Sequence, residues 1–139
     1  MLDKREFLRW TESAKRTLKS AESDLEGADY NWACFKAHQA SEMAVKALLH
    51  GLGLPAYGHS VSRLLSDLAP RGIDVSDGAM RSAKILDRYY VPTRYPNAWA
   101  EGAPHEYYAK VDAEESLSQA GNVLEWVEAA WRSLERGGE

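Results

Sequence analysis

The chain has 139 residues, of which 45% are hydrophobic and 27% are charged, and its formal net charge is −4. These values are typical of one globular domain, so we assign residues 1–139 to a single domain, and the acidic balance argues against strong nonspecific binding to nucleic acid. Because the sequence has no apolar run of the roughly 20 residues that span a membrane, no signal-peptide core and only one cysteine, Cys34, we expect a cytoplasmic protein without a membrane partner.

The first predicted helix runs from Asp3 to Gly27 and has one apolar face. Asp3 is a suitable N-cap, and Gly27 is a suitable residue for the C-terminal end. A turn at residues 28–30 leads to the second helix, and so short a connection makes the two helices antiparallel neighbours. The apolar face consists of residues three or four positions apart, namely Phe7, Trp10, Ala14, Leu18, Ala21 and Leu25.

The second predicted helix, from Tyr30 to Gly51, carries two neighbouring stripes of side chains. The second of these stripes, described below, has a polar middle between apolar ends. That pattern is unusual in a core helix and is the first indication of a site. The first stripe, which we call the alanine stripe, would allow close approach of another helix and consists of Ala33, Ala37, Ala40, Ala44 and Ala47. The second, which we call the polar stripe, consists of Phe35, Gln39, Glu42, Lys46 and Leu49.

Two shorter helices are predicted next. Ser60 is a suitable N-cap for a short third helix over residues 61–68. A fourth helix is predicted over residues 76–90, and Pro92 ends it because the residue before a proline is disfavoured in the helical conformation.

A long loop and a last helix complete the predicted fold. The loop, residues 92–110, is rich in aromatic side chains, whereas disordered segments are poor in them, so we expect it to fold against the helices. The last predicted helix runs over residues 111–136. The sequence therefore predicts an all-α, antiparallel up-and-down bundle of four main helices plus one short helix.

The middle of the polar stripe is the first candidate site. Its simplest interpretation is a solvated helix face on which Glu42 and Lys46 pair four residues apart. The apolar neighbours Phe35 and Leu49 predict instead that the stripe is partly covered, and covered charges need partners. We expect Arg94, in the long loop, to fold back and meet Glu42 and Lys46.

The turn Arg94-Tyr95-Pro96 is the second candidate site. The arginine fork matches a carboxylate or a phosphate. Two interpretations stay open, an anchor that pairs Arg94 with Glu42 and a site that receives a phosphate or a nucleotide. Either Tyr95 or Trp99 would stack on a base. The predicted ligand-binding residues are Gln39, Glu42, Lys46, His59, Arg94, Tyr95 and Trp99.

The four histidines of the sequence do not indicate a metal site. His38 and Glu42 are four residues apart, but a second such pair is missing, so a carboxylate-bridged two-metal site cannot be built. We predict neither a metal nor another cofactor. His105, in the long loop, is instead a candidate general base.

A resemblance to the HEPN domain (higher eukaryotes and prokaryotes nucleotide-binding) is carried by the segments AHQASEMAVKALLHGLG, GHSVSRLLSDL and LDRYYVPTRYP. The closing segment DAEESLSQAGNVLEWV is similar to the last helix of that family. The resemblance extends from about Phe7 to Val127. Its most specific part is the combination of AHQASE with YYVPTRYP.

The resemblance implies a helical bundle that forms a homodimer and is often encoded beside a minimal nucleotidyltransferase in a toxin–antitoxin-like pair. Many members are metal-independent endoribonucleases, with an arginine, a polar residue and a histidine four to six positions downstream. Arg94 corresponds to that arginine, but Tyr95 follows it and the next histidine, His105, lies eleven positions on. The chain therefore resembles more closely the Arg-Tyr-Pro members that bind nucleotides or partners.

Three functional hypotheses follow. The favoured one is a protein that binds a nucleotide or an RNA phosphate and acts with a nucleotidyltransferase partner. The second is a metal-independent endoribonuclease in which Arg94 stabilises the phosphorane charge and His105 is the base. The third is a purely structural dimerisation or interaction domain. For any homodimer, the alanine stripe and the aromatic loop are the two surfaces considered.

Overall fold

The structure of the chain is a computed structural model that describes residues 1–137. Within that range the chain forms five α-helices and no strand, which confirms the predicted all-α bundle of four main helices plus one short helix. The last two residues of the predicted domain lie outside the described residues. The helices are α1 (Lys4–Glu26), α2 (Tyr30–Gly51), α3 (Val61–Ser66), α4 (Asp77–Leu86) and α5 (Lys110–Gly137).

Helices α1 and α2 form the antiparallel hairpin that the sequence predicts. The side chain of Asp3 accepts a hydrogen bond from the backbone N–H of Glu6 at 3.1 Å, and Gly27 is the C-cap of α1. Ala28 has a φ of +62°, a left-handed conformation that reverses the chain within a tight turn. Both predicted caps and both ends of α2 are confirmed.

Helix α2 is central, because it packs against α1, α3, α4 and α5. All five residues of the alanine stripe are at most 4% exposed within the single chain. The predicted close packing of this stripe is confirmed. A homodimer through the alanine stripe is a wrong alternative, because side chains already covered within one chain cannot meet a second copy.

Helix α4 is shorter than predicted. It ends at Leu86, and residues 87–89 continue as a 3-10 turn. A 3-10 last turn is common at a helix end, and within it the side chain of Asp87 accepts hydrogen bonds from the backbone N–H of Val61 and the hydroxyl of Ser62, both at 2.6 Å, at the start of α3. This long-range cap coincides with the tightening of the last turn of α4. Helix α3 also ends early, at Ser66, and a 3-10 turn over residues 69–71 follows it.

The loop over residues 92–110 packs against the helices, as predicted. Asn31 of α2 donates a side-chain hydrogen bond to the carbonyl of Thr93 at 3.0 Å. Inside the loop the Trp99 indole donates to the carbonyl of Pro92 at 2.8 Å, and its ring stacks on Tyr107 with centroids 3.9 Å apart. These contacts hold the segment that contains Arg94 against the N-terminal half of α2.

The other end of the bundle is closed by stacked aromatic rings. Phe7 of α1 and Trp131 of α5 lie with centroids 4.2 Å apart and an interplanar angle of 5°. Gly51, the last residue of α2, lies directly against this pair, so the absence of a side chain there is what allows the three helices to meet. No helix within residues 1–137 is both long enough and apolar enough to cross a membrane.

We expect Gly51→Ala to lower the free energy of unfolding by about 1–3 kcal/mol, as overpacking of a core does. The added methyl carbon would lie 2.5 Å from Cζ3 of Trp131 and 3.2 Å from Cβ of Phe7. Urea unfolding followed by circular dichroism measures the change. Gly121→Ala is the matched control, because no atom lies within 4 Å of its added carbon, and it should raise stability by about 0.5–1 kcal/mol. Equal effects of the two substitutions would contradict the packing argument.

Candidate functional site

Glu42, in the middle of α2, is the buried centre of a cluster of polar side chains. Its own side chain is 8% exposed, and its Oε2 lies 3.1 Å from Nζ of Lys46. Its other oxygen, Oε1, lies 3.0 Å from Nδ1 of His59. The prediction that the polar stripe is partly covered and that its charges have partners is confirmed. The structure brings three predicted ligand residues, Glu42, Lys46 and His59, into direct contact.

The backbone at His59 is positioned by contacts of its own carbonyl and of the next residue. Nε2 of His38 lies 2.8 Å from the backbone carbonyl oxygen of His59, which joins the loop to α2. The next residue, Ser60, caps α3 and also donates its hydroxyl to Asp87 at 3.0 Å. The loop after α2 is therefore tied to α2 and to the end of α4, and the His59 ring is held between them.

His38 is fully buried and acts as a neutral hydrogen-bonding residue. Burial lowers its pKa, and the nearby Glu42 charge opposes that shift only in part. A neutral imidazole has one N–H, which Nε2 donates to His59, so Nδ1 must accept. The Gln39 atom 3.3 Å from Nδ1 is Oε1, so the side-chain amide must be turned to present its nitrogen to the neutral ring. Gln39 thus supports His38 on the inner side of the polar stripe.

Tyr90 connects the two candidate sites, and the sequence analysis did not include it. Its ring stacks on His59 with centroids 4.7 Å apart and an interplanar angle of 17°. It also contacts His38 at 5.1 Å and Phe35 at 6.2 Å between centroids. The adjacent tyrosines before Pro92 were a signal that could have suggested an aromatic support, but α4 was predicted to continue through Tyr90, which placed its ring on the same helix face as Leu86 and not over His59.

The guanidinium of Arg94 rests on aromatic rings. Its Cζ lies 4.1 Å from the ring centroid of Phe35, 4.6 Å from that of Tyr90 and 4.9 Å from that of Tyr95. Its Nε donates to the carbonyl of Tyr90 at 3.0 Å. Stacking of this kind orients a guanidinium while leaving its outer N–H groups able to donate.

The predicted contact of Arg94 with Glu42 and Lys46 is wrong. Among residues 1–137 no ion pair joins Arg94 to a carboxylate, and Glu42 is paired with Lys46 and His59 instead. The reason is the place where the loop meets α2. Asn31 holds Thr93 near the start of the helix, so Arg94 reaches Phe35, which precedes Glu42 by two turns, or roughly 10 Å along the axis.

The remaining predicted residues of the loop have different surroundings. Tyr95 is 48% exposed beside Arg94. Trp99 is less accessible, because Tyr107 covers one face of its ring and Tyr108 meets it edge-on. His105 is exposed in the 3-10 turn over residues 104–106, and within the described residues it makes no hydrogen bond or ring contact with Arg94. The structure therefore does not bring together the two residues of the ribonuclease hypothesis.

The rings of Phe35, Tyr90 and Tyr95 under Arg94 form a surface that we call the aromatic platform. A cavity of about 440 Å³ opens next to it, between α1 and α2. Phe35 and Gln39 belong to its lining, and Arg16 and Lys36 contribute positive charge. Lys36 is already paired with Asp24 at 2.8 Å. A larger cavity of about 610 Å³, between the turn after α3 and α5, contains no predicted site residue among its lining side chains.

Other chemistry is limited in the described part of the chain. No group of three or more His, Cys, Asp or Glu side chains within residues 1–137 is arranged to hold a metal ion. Cys34 is buried, and desolvation raises the pKa of its thiol to about 11, so it is protonated at neutral pH. Cys34 is therefore a buried, unreactive thiol.

Comparison with known protein families assigns the fold. A family model described as HEPN domain matches residues 7–130. The chain belongs to the HEPN domain family. The predicted family is thereby confirmed, and the matched range includes the whole Glu42 cluster and the Arg94 platform. In this HEPN chain the histidine that stacks on Tyr90 is His59, which precedes Arg94 in the sequence.

Three solved structures are similar to this HEPN chain. The crystal structure of TT1696 from Thermus thermophilus has a TM-score of 0.86 at 43% identity, over 89% of this chain and 97% of that one. ST0689, an archaeal HEPN homologue, has a TM-score of 0.75 at 37% identity, over 88% and 95% of the two chains. The HEPN domain protein TM0613 from Thermotoga maritima has a TM-score of 0.71 at 32% identity, over 89% and 98%.

A curated relative carries a functional name. The protein "Putative toxin MJ1304" of Methanocaldococcus jannaschii is 32% identical over 128 aligned residues, which cover 81% of this chain and 84% of that protein. The match spans most of both chains.

We expect the free energy of unfolding of the wild type to fall as the pH drops below about 6.5, by at most about 1.4 kcal/mol per pH unit from His38. The unfolded chain protonates this histidine near its ordinary pKa of 6.5, whereas the lowered pKa keeps the folded chain unprotonated. His38→Gln should flatten that part of the pH dependence in urea unfolding experiments. His105→Gln, at an exposed position, should keep the wild-type slope. Identical slopes for the wild type and His38→Gln would contradict this assignment.

Proposed function

We propose that this HEPN protein is the toxin-like member of a two-protein system and that it binds a phosphate-bearing ligand, a nucleotide or RNA, at Arg94. The observation that carries the proposal is the guanidinium on three aromatic rings without a carboxylate partner among residues 1–137. The name of the relative MJ1304 supports the toxin-like role. The resemblance of Arg94 to the arginine of the family motif supports the ligand class.

The chemistry of Arg94 suits a phosphate. Its Nε is engaged by the carbonyl of Tyr90, while its two terminal nitrogens make no hydrogen bond with any other described residue. Two parallel N–H groups can form a bidentate pair with phosphate oxygens, and such charge-assisted hydrogen bonds are about twice as strong as neutral ones. The aromatic platform restricts the side chain before binding, so little conformational freedom is lost when a phosphate arrives.

The neighbouring residues take separate roles in this proposal. Tyr95, about half exposed and next to Arg94, is the stacking surface for a base. Trp99 is assigned to holding the loop, because one of its faces is covered by Tyr107. Lys46 neutralises Glu42 inside the cluster, since its ammonium already lies 3.1 Å from that carboxylate.

We also propose two protein partners, a second copy of the chain and a minimal nucleotidyltransferase. The support is an exposed apolar surface beside Arg94. Trp32 is 44% exposed, Val91 is 45% exposed and Tyr95 is 48% exposed, and these three residues flank the platform. Exposed aromatic side chains beside an arginine are the composition that interface centres favour. The alanine stripe is unavailable, so the surface assigned to the homodimer is the one formed by Trp32, Val91 and Tyr95, at the start of the aromatic loop.

Arg94→Ala should weaken binding of a nucleotide or a short single-stranded RNA by about 10- to 100-fold, in keeping with the loss of charge-assisted hydrogen bonds worth about 1.5–3 kcal/mol. Arg94→Lys should restore only part of the affinity, because an ammonium lacks the planar fork. Isothermal titration calorimetry with a panel of nucleotides and with RNA measures the dissociation constants. Arg88→Ala, an exposed arginine in the preceding turn, is the charge-matched control and should bind like the wild type. A wild type that binds no ligand below millimolar concentration, with or without the partner protein, would remove the proposal.

The partner surface is tested separately by association state. The wild type should have the mass of a dimer in sedimentation equilibrium, and Val91→Glu should shift it toward the monomer, because a charge would be buried in the interface. Val111→Glu is the matched control, since this residue is 65% exposed at the start of α5, outside the proposed surface. A monomeric wild type, or a Val91→Glu variant as dimeric as the wild type, would contradict this surface.

A further inference from the structure

A groove between α1 and α2 leads from the aromatic platform toward the start of α1. Its first part is the cavity of about 440 Å³ beside the platform, which Phe35, Gln39 and Met43 line on the side of α2. Because these residues are four positions apart, they form one row about 12 Å long. A second cavity, of about 240 Å³, meets the first at Met43 and has Trp10 of α1 in its lining. We call the two cavities together the α1–α2 groove.

The α1–α2 groove is lined by cations. Arg16 of α1 and Lys36 of α2 line its first cavity, and Arg9 lines the second, while no carboxylate among the described residues lines either. Lys36 is already paired with Asp24 at 2.8 Å. Arg16 is exposed and forms no ion pair with another residue in the range 1–137. Arg16 is therefore the side chain best placed to meet an anion in the groove.

Aromatic and hydroxyl side chains complete the lining. Phe35 lies at one end of the groove and Trp10 at the other, where one face of the indole stacks on His50 at 4.7 Å between centroids. Between these ends, Thr17 and Ser20 of α1 supply hydroxyl groups. A cationic groove with aromatic rings at intervals is the composition of sites that bind single-stranded nucleic acid, because phosphates meet the cations and bases contact the rings.

Phe35 joins the α1–α2 groove to the proposed phosphate site. Its ring centroid lies 4.1 Å from Cζ of Arg94, and the same side chain lines the first cavity. A mononucleotide held at Arg94 occupies the platform, whereas a longer strand held there has its next residues at the entrance of the groove. The two sites are therefore arranged to act on successive parts of one ligand.

We propose that the α1–α2 groove binds the continuation of a single strand of nucleic acid whose phosphate is held at Arg94. The proposal rests on the proposed function, phosphate binding at Arg94, and it specifies the ligand as an oligonucleotide. Arg16 donates to a phosphate of the strand, and the apolar side chains of Phe35 and Met43 contact a base.

A peptide of a partner protein fits the groove less well. Extended peptides bind by pairing with the edge of a sheet, and residues 1–137 contain no strand. Helical peptides bind in grooves lined by apolar side chains, whereas most of the side chains that line the first cavity are polar or charged. The charge and the isolated aromatic rings of the α1–α2 groove suit repeated phosphates and planar bases instead.

The test is the dependence of affinity on ligand length, measured by isothermal titration calorimetry with the full chain. The probes are the four nucleoside 5′-monophosphates and a single-stranded tetranucleotide that contains each base once. The wild type should bind the tetranucleotide about 10- to 100-fold more tightly than any mononucleotide, the effect of an added charge-assisted hydrogen bond. Parallel titrations with RNA and DNA distinguish the two sources of a strand, and length-dependent affinity for either supports the groove.

Arg16→Ala should weaken binding of the tetranucleotide by about 10-fold and leave binding of the mononucleotides unchanged, whereas Arg94→Ala should weaken both. The slope of log affinity against log salt concentration should also become shallower by about 0.7 in Arg16→Ala, because one phosphate contact is lost. Lys15→Ala is the matched control. Lys15 is adjacent in sequence but is directed toward α5, where it pairs with Glu128 at 3.3 Å, so its removal should change neither affinity nor slope.

The outcomes separate the groove from the site at Arg94. A wild type that binds mononucleotides and the tetranucleotide equally would overturn the groove and leave the phosphate site intact. A preference for the tetranucleotide that persists in Arg16→Ala would also overturn it. Wild-type binding of the tetranucleotide by an Arg16→Ala variant that no longer binds the nucleotidyltransferase partner would assign the groove to a protein segment instead. A wild type that binds no probe would remove both proposals.

Discussion

The Glu42 carboxylate is buried and must therefore be paired, and the arrangement of the site depends on this constraint. A carboxylate that is 8% exposed in the middle of a central helix must have partners, because an unpaired buried charge is strongly destabilising. Lys46, one turn along α2, supplies one partner, and His59 supplies the other from a different segment of the chain. The second contact orders the loop after α2, and with it the start of α3.

That loop also accounts for the irregular end of α4. Asp87 directly follows α4, which ends at Leu86, and its side chain caps the start of α3. The 3-10 turn that follows brings Tyr90 over the rings of His38 and His59. Arg94 contacts the same tyrosine, because its guanidinium lies over the Tyr90 ring and its Nε donates to the Tyr90 carbonyl. A buried charge, a long-range helix cap and an aromatic platform therefore form one connected set of contacts between α2, α3 and the end of α4.

The parts of the fold that were predicted from sequence are those set by neighbouring residues. The ends of α1 and α2 follow from Asp3, Gly27 and the short turn between them, and the covered polar stripe follows from the apolar residues at its ends. The predictions that failed depend on residues far apart in the chain. The 3-10 turn at the end of α4 begins at Asp87, whose hydrogen-bond partners lie in α3, and Arg94 does not reach Glu42 because Asn31 holds the loop near the start of α2.

The sequence by itself determined the helical bundle, the HEPN resemblance, the caps and the identity of most residues at the site, because periodicity, capping and composition are local properties of the chain. Only the tertiary structure decided which of those residues meet. It paired Glu42 with His59, placed Tyr90 between His59 and Arg94, and left His105 apart from both. The physical reason is that a buried carboxylate and a guanidinium can each pair with several kinds of partner. The backbone contacts of the loops after α2 and after α4 determine which partner comes within reach.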